Sequence, residues 1–399
     1  MCIRDRVFFP SNNPLLSTLA AFGTFAVGFI ARPMAGMVFG HLGDRLGRKK
    51  MLLVTMVLMG LATTGIGLLP SYASAGIWAP IGLIALRIVQ GISVGGEWGG
   101  AVLMASEHAP AKRKVFYASF AQLGSPAGLL LALIAFRLVS SLEPEEFLSW
   151  GWRLPFLASG VLMLVGLAIR FGVEESPEFQ AAKAKKEVVK YPVLEVVRDC
   201  WRQILFAALA VTIGSAGFFF TNTFMITYVT TYQGIPRATI LDCLFLVTIL
   251  QFLTQPLAAL LAERIGEGRF LKLAALLCMA VPYPMFMLVG TQNLVLMTAG
   301  IALAVVTLSA LYAVIAGYMT QAFPAHLRYS GISLAYQLIC AIAGGSTPII
   351  GTLLADRFAG QWLPLAVFFT ALSTLSLIGV CGLSRLRGEQ QESTPAIAR

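Results

Sequence analysis

Three ionisable side chains stand inside apolar stretches of this 399-residue chain: Arg32, Arg87 and Glu97. Charge in such surroundings is costly and calls for a partner or a task. An arginine there can hold a carboxylate through parallel N–H donors. A carboxyl group there, stripped of water, can load and release a proton near neutral pH. Arg87, Gln90 and Glu97 share the run 81–105. At 100° per residue Gln90 and Glu97 nearly eclipse, while Gly91, Gly95 and Gly99 recur every fourth residue on the opposite side. The run reads as a helix that packs on glycine and offers Arg87, Gln90 and Glu97 to a polar cavity. At 1.5 Å per residue Arg32 lies about 26 Å deep in its own run and Glu97 about 24 Å in its run. The two are expected to pair or to share a proton-sensitive network. Interface snorkelling of Arg32 beside Pro33 is the simpler alternative.

Other polar residues extend the possible lining. Gln122 and Gln337 occupy matching places in the two halves of the chain, Tyr336 adjoins the second, and Thr221, Asn222, Thr223 and Tyr228 cluster in one run. Each can meet a hydroxyl or a carboxylate, or simply bridge two helices. Gly124, Ser125, Pro126 and Gly128, with Gly344, Gly345, Pro348 and Gly351, mark two places where helices could bend.

The elements that hold these residues are membrane spans. Hydrophobic residues make up 57% of the chain and charged ones 12%, far below a soluble composition. Eleven runs are long enough to cross a bilayer: 15–39, 51–69, 81–105, 115–138, 154–169, 204–228, 241–261, 270–288, 294–318, 331–354 and 363–383. Alternate loops carry the Lys and Arg, so these loops and the C-terminus are expected on the cytoplasmic side. The net charge of +10 is explained by those loops and not by nucleic acid. The six cysteines show no paired spacing, and no metal set, nucleophile elbow or phosphate loop occurs, so neither an enzyme nor a cofactor is expected. The expected organisation is a leader over 1–14, a five-span bundle over 15–169, a cytoplasmic linker with an amphipathic helix over 170–203, a six-span bundle over 204–383 and a tail over 384–399.

The halves repeat. Asp44-Arg45 is echoed by Glu263-Arg264 at an offset of 219, Glu107-x-x-Pro110 by Gln321-x-x-Pro324 at 214, and Gln122 by Gln337 at 215. The stretch 40–50, Gly-His-Leu-Gly-Asp-Arg-Leu-Gly-Arg-Lys-Lys, reads as a charged loop between two spans. Leu86-Arg87-Ile88-Val89-Gln90-Gly91, Glu107-His108-Ala109-Pro110, Glu175-Ser176-Pro177, Gly95-Gly96-Glu97-Trp98-Gly99-Gly100 and Trp150-Gly151-Trp152-Arg153 follow in order. With these motifs the chain resembles the major facilitator superfamily, and within it the metabolite:proton symporters of the shikimate and general metabolite branch. The resemblance implies an all-α membrane fold of two six-helix bundles related by a pseudo-twofold. Here the first helix is missing, and the unusual leader Met1-Cys2-Ile3-Arg4-Asp5-Arg6 fits an N-terminally truncated chain.

The resemblance also implies a function: proton-coupled symport of a small organic acid or related metabolite by alternating access, by a monomer in a bacterial inner membrane. A proton-independent facilitator or exchanger of the same substrates, or a non-transporting sensor on the same scaffold, is the alternative. Arg32, Arg87, Gln90, Glu97, Gln122, Asn222, Tyr228, Tyr336 and Gln337 are the expected substrate or proton pathway. Gly40, Asp44, Arg45, Gly47, Arg48, Glu107, Arg113, Glu263, Arg264 and Arg328 are the expected cytoplasmic gate. Glu267 and Gln321 depart from the first half's charges at the positions of Arg48 and Glu107.

Overall fold

The computed structural model describes residues 8, 14–139, 142–184 and 191–393. Cys2 and nearly all of the leader, Lys185, Lys186, Glu187 and Lys190 of the linker, and the tail beyond Ser393 lie outside the described residues. Eleven long helices carry the fold: α1 (Pro14–Leu46), α2 (Arg48–Leu68), α3 (Trp78–Glu107), α4 (Lys114–Val139), α5 (Leu154–Gly172), α6 (Trp201–Tyr232), α7 (Arg237–Ile265), α8 (Glu267–Gly290), α9 (Leu294–Thr320), α10 (Arg328–Arg357) and α11 (Trp362–Ser393). Ten of them, α2 to α11, are long and apolar enough among the described residues to cross a membrane. α1 has 33 residues, and its apolar stretch ends at Phe39. Large apolar side chains stay exposed along the outer faces, Ile30, Leu61, Val161, Leu257 and Val295 among them. Such a surface suits a lipid solvent.

The stretch 40–50 is not the loop expected from its charges. α1 continues through Leu46, α2 begins at Arg48, and the chain turns on Gly47 alone, at φ 111°. The second half repeats this at Gly266, φ 96°, between α7 and α8. Only glycine adopts that backbone without strain. Charged side chains beyond the apolar stretch do not end a helix, so the charge pattern marked the membrane boundary and not the helix boundary.

Helices α1 to α5 form one bundle and α6 to α11 the other. Between them α1 packs on α10, and α4 packs on α7 and α9. In the sequence repeat α1 corresponds to α7 and α4 to α10. The contact α1–α10 therefore has its exchanged counterpart in α7–α4, as a pseudo-twofold requires. The glycine ridge of α3 is a close seam: a Cβ on Gly91 would stand 2.2 Å from the Gly28 carbonyl oxygen of α1. The linker contains two short helices, Pro177–Ala184 and Pro192–Asp199, the second amphipathic with Val196 buried. The second half holds the interrupted long helices among the described residues: α6 and α10 each contain one π-turn, Phe220–Phe224 and Cys340–Gly344, and α8 is broken at Val281 before Pro282. α4 runs unbroken through Pro126.

Candidate functional site

At the end that carries the Arg and Lys clusters, here called the basic end, each bundle caps a helix of the other. Asp44, in the last turns of α1, accepts the N–H groups of Tyr329 (3.2 Å) and Ser330 (2.9 Å) at the start of α10. Glu263, in the last turns of α7, accepts the Phe116 N–H (2.9 Å) at the start of α4 and pairs with Arg113 (3.3 Å). A helix start leaves its first N–H groups free and carries partial positive charge, so a carboxylate there is favourable. One device thus occurs twice with the halves exchanged.

Arg48 knits the surroundings. It is buried between Asp44 (3.7 Å) and Glu107 (3.6 Å), donates to the Ala325 carbonyl oxygen of the opposite bundle (3.1 Å), and lies 4.9 Å from the Phe179 ring centre. Glu107 also receives Arg328 (3.2 Å) and the Ser176 hydroxyl. Gly40 packs directly on Ser330. Of the expected gate residues, Arg45 and Arg264 are exposed and stand apart from this buried set.

The linker completes the cluster, which charge counting alone did not reveal. Glu175 accepts the N–H groups of Arg48 (3.0 Å) and Lys49 (3.2 Å), capping α2 just after its glycine turn. Glu178 takes both Lys114 (2.7 Å) and Arg328. In the second half the equivalent cluster runs through Glu267, Gln321 and Arg387. Arg387 donates to Gln321 (2.6 Å) and pairs with Glu267 (3.4 Å). The acid at Glu267 is matched by a base from α11.

Two of these carboxyls lie outside the spans and are shifted in opposite directions. Asp44 follows the apolar stretch of α1. Burial pushes it up to about 6, against the pull of Arg48 and the two backbone donors. For Glu178 burial acts upward, but the Lys114 hydrogen bond and the Arg328 charge outweigh it and hold the group below its ordinary range.

Deeper in the molecule an aromatic and amide chain crosses between bundles. Trp98 of α3 stacks on Tyr336 of α10, with ring centres 3.6 Å apart. The Trp98 indole donates to Gln122 Oε1 (2.8 Å), Gln122 donates to the Tyr312 carbonyl oxygen of α9 (3.0 Å), and the Tyr312 and Tyr336 hydroxyls are 2.6 Å apart. Gln337 donates to the Val94 carbonyl oxygen (3.0 Å) while its own Oε1 is buried without a partner. Gln122, Tyr336 and Gln337 therefore meet at the bundle interface. Trp98 and Tyr312 were missed, because an aromatic in an apolar run carries no signal of its own.

The three intramembrane charges do not converge. Glu97 pairs with Arg170 of α5 (3.1 Å), not with Arg32. Arg170 is also anchored on the Leu52 carbonyl oxygen (2.6 Å). Arg170 closes a run read as apolar to residue 169, so its reach back into the bundle was not legible. Arg32 lies over the Phe29 ring at 4.0 Å, and its buried Nε has no hydrogen-bond partner. Arg87 donates to Gln90 (2.8 Å), which donates to Thr63 of α2 (2.7 Å). The Gln90 and Glu97 face thus meets α2 and α5 of its own bundle.

In the second bundle Tyr228 is packed among Phe224, Tyr232 and Phe286, donates to the Gly360 carbonyl oxygen (3.0 Å), and is only 1% exposed. It serves the interior of its bundle and does not line an interface. Asn222 lines a cavity of about 20 Å³ with Thr221, Gln251, Ser309 and Tyr312. Gln251 of α7 is buried there with an unpartnered Oε1. Its signal, a pair of amides, Gln251 and Gln255, in one apolar run, was present in the sequence and went unused.

Comparison with known proteins agrees with this architecture. The family model described as Major Facilitator Superfamily matches residues 11–348. The shikimate transporter of Escherichia coli (strain K12) is 41% identical over 92% of this chain and 85% of its own length. The inner membrane metabolite transport protein YhjE of the same organism is 34% identical over 94% of this chain and 86% of its own length. Among solved structures the proton:xylose symporter XylE bound to 6-bromo-6-deoxy-D-glucose matches at a TM-score of 0.71, with 16% identity over 98% of this chain and 90% of that one. At that identity the likeness concerns the fold.

Proposed function

The chain belongs to the Major Facilitator Superfamily, and on that premise we propose that it carries a small organic acid together with a proton across a bacterial inner membrane. The observation that carries this reading is Arg32, whose buried Nε atom lacks a partner on the helix that packs against the opposite bundle. A guanidinium donor left free inside a membrane suits an anion that arrives and departs. The 41% identical relative named as a shikimate transporter supports a hydroxylated carboxylate as the substrate class. The unpartnered Gln251 Oε1 beside Asn222 and Ser309 supplies an acceptor for a hydroxyl group.

Glu97 is the proposed proton carrier, engaged by Arg170 in this conformation and released when that pair opens. Tyr329 links this event to the gate, since its N–H is held by Asp44 and its hydroxyl donates to the Gly96 carbonyl oxygen (2.5 Å) beside Glu97. The basic end faces the cytoplasm, by the distribution of Lys and Arg. The described conformation has this end shut. The protein works as a monomer, with 15–169 and 204–383 as its two rocking bundles.

The test is uptake of labelled hydroxy, keto and dicarboxylic acids into proteoliposomes with and without an imposed pH gradient. Accumulation of one acid that collapses with a proton carrier supports the reading. Equilibration of an acid without response to the gradient would favour a proton-independent facilitator, and no uptake of any acid would remove the substrate class.

A further inference from the structure

At the basic end a groove of about 590 Å³ lies between the start of α6 and the end of α11. Its floor is the α6–α11 seam: a Cβ on Gly382 would stand 2.2 Å from the Phe206 ring, and one on Gly379 2.1 Å from the Ala210 backbone nitrogen. Its walls are apolar and face outward, with Leu205 and Ile378 both about half exposed. Its rim carries Arg202 and Arg385, and Trp201 beside them is exposed, its ring 5.5 Å from the Arg202 guanidinium.

The charge at this rim is uncommitted. Arg48, Arg113, Arg328 and Arg387 of the same end are spent on carboxylates. Among the described residues neither Arg202 nor Arg385 makes an ion pair, and the one acid on the groove, Glu389, leaves two cations against one anion. A second groove at the opposite end, between α4 and α7, differs in this respect. Its Arg137 is paired with Asp242 at 2.7 Å and offers no surplus charge. Apolar walls continuous with the lipid-facing surface, a tryptophan at the polar boundary and two free guanidinium groups match the chain, glycerol region and phosphate of a membrane lipid in that order.

We propose that this groove is a binding site for one anionic phospholipid, its phosphate held by Arg202 and Arg385 and an acyl chain laid along Leu205 and Ile378. The full chain, purified and exchanged into detergent with equal amounts of phosphatidylglycerol and phosphatidylcholine of matched chains, is analysed by native mass spectrometry. The phosphatidylglycerol adduct is expected to exceed the phosphatidylcholine adduct by about thirtyfold, from two interfacial arginines. The double variant Arg202→Gln/Arg385→Gln loses the preference, Ile378→Trp lowers retention of both lipids, and Arg269→Gln, exposed at the same end, changes neither. Equal retention of the two lipids by the parent chain, or an unchanged preference in the double variant, overturns the proposal. So does thermal protection by inorganic phosphate alone equal to that by the lipid. The readout does not involve transport, so it stands or falls apart from the substrate reading above.

Discussion

Asp44 shows how a single residue can tie closure to pH. When the basic end is open the carboxyl is hydrated and titrates near its ordinary 3.8; when closed it titrates at about 6. Between those values the closed form binds the proton more tightly, so closure gains as pH falls through 6 and the gain is complete below 3.8. Glu178 has the opposite sign. Its pairs with Lys114 and Arg328 favour closure above its ordinary 4.5, and that contribution fades as pH falls further. Closure should therefore strengthen as pH falls from 6 to about 4.5 and gain little below that. Thiol labelling of Ser333→Cys, buried between the bundles, should slow from pH 7 to pH 5 after correction for thiolate content, and Asp44→Asn should flatten that response. Gln251 tests the interior. Because its Oε1 has no partner, Gln251→Leu should leave thermal stability unchanged or raised by about 1 kcal/mol. Substrate affinity in uptake or binding assays should fall roughly tenfold, as for loss of one hydrogen bond of about 1.4 kcal/mol. Loss of stability with affinity intact would assign Gln251 to packing.

Helices set which of these residues could be foreseen. The α3 glycine ridge was legible because small residues every fourth position have one physical use, close approach, and Gly91 meets the Gly28 backbone as that use demands. Gly91→Val should strain this seam by about 1–3 kcal/mol, as overpacking does, and lower the melting temperature in detergent. The conservative Gly82→Ala, whose added methyl meets only the Leu69 side chain, should cost less. The turn at Gly47 and the extension of α1 to Leu46 were not legible, because a charged run past the membrane boundary looks the same as helix or as loop. Pairing was the other blind spot. Depth along a helix put Arg32 and Glu97 at one level, yet rotation about the axis sends Glu97 to Arg170 and Arg32 to Phe29. Depth follows from counting residues, whereas the azimuth of a partner helix requires tertiary structure. The resemblance to a known family supplied the fold, the expected gate and, apart from that gate, the motif Glu175-Ser176-Pro177. The contacts made by that motif, from the linker to Arg48 and Glu107, come only from the coordinates.

At the scale of the whole molecule the gate is reciprocal. Asp44 of the first bundle holds the start of α10, and Glu263 of the second holds the start of α4. Each contact contributes a modest net energy, because water replaces it on opening. A pair of such latches can therefore hold one end shut without locking it, which alternating access needs. Removing both acceptors, in Asp44→Ala/Glu263→Ala, should shift the population toward the form open at the basic end, and by more than either change alone. The most direct measurement is a pulsed-EPR distance between spin labels at Lys50→Cys and Arg269→Cys, exposed residues on opposite bundles, on a background without the native cysteines. The expected result is two distance populations whose balance moves to the longer one in the double variant and responds to a transported acid. A single unchanging distance in the parent, in the double variant and with every acid would contradict the claim that the two bundles rock about a shared site.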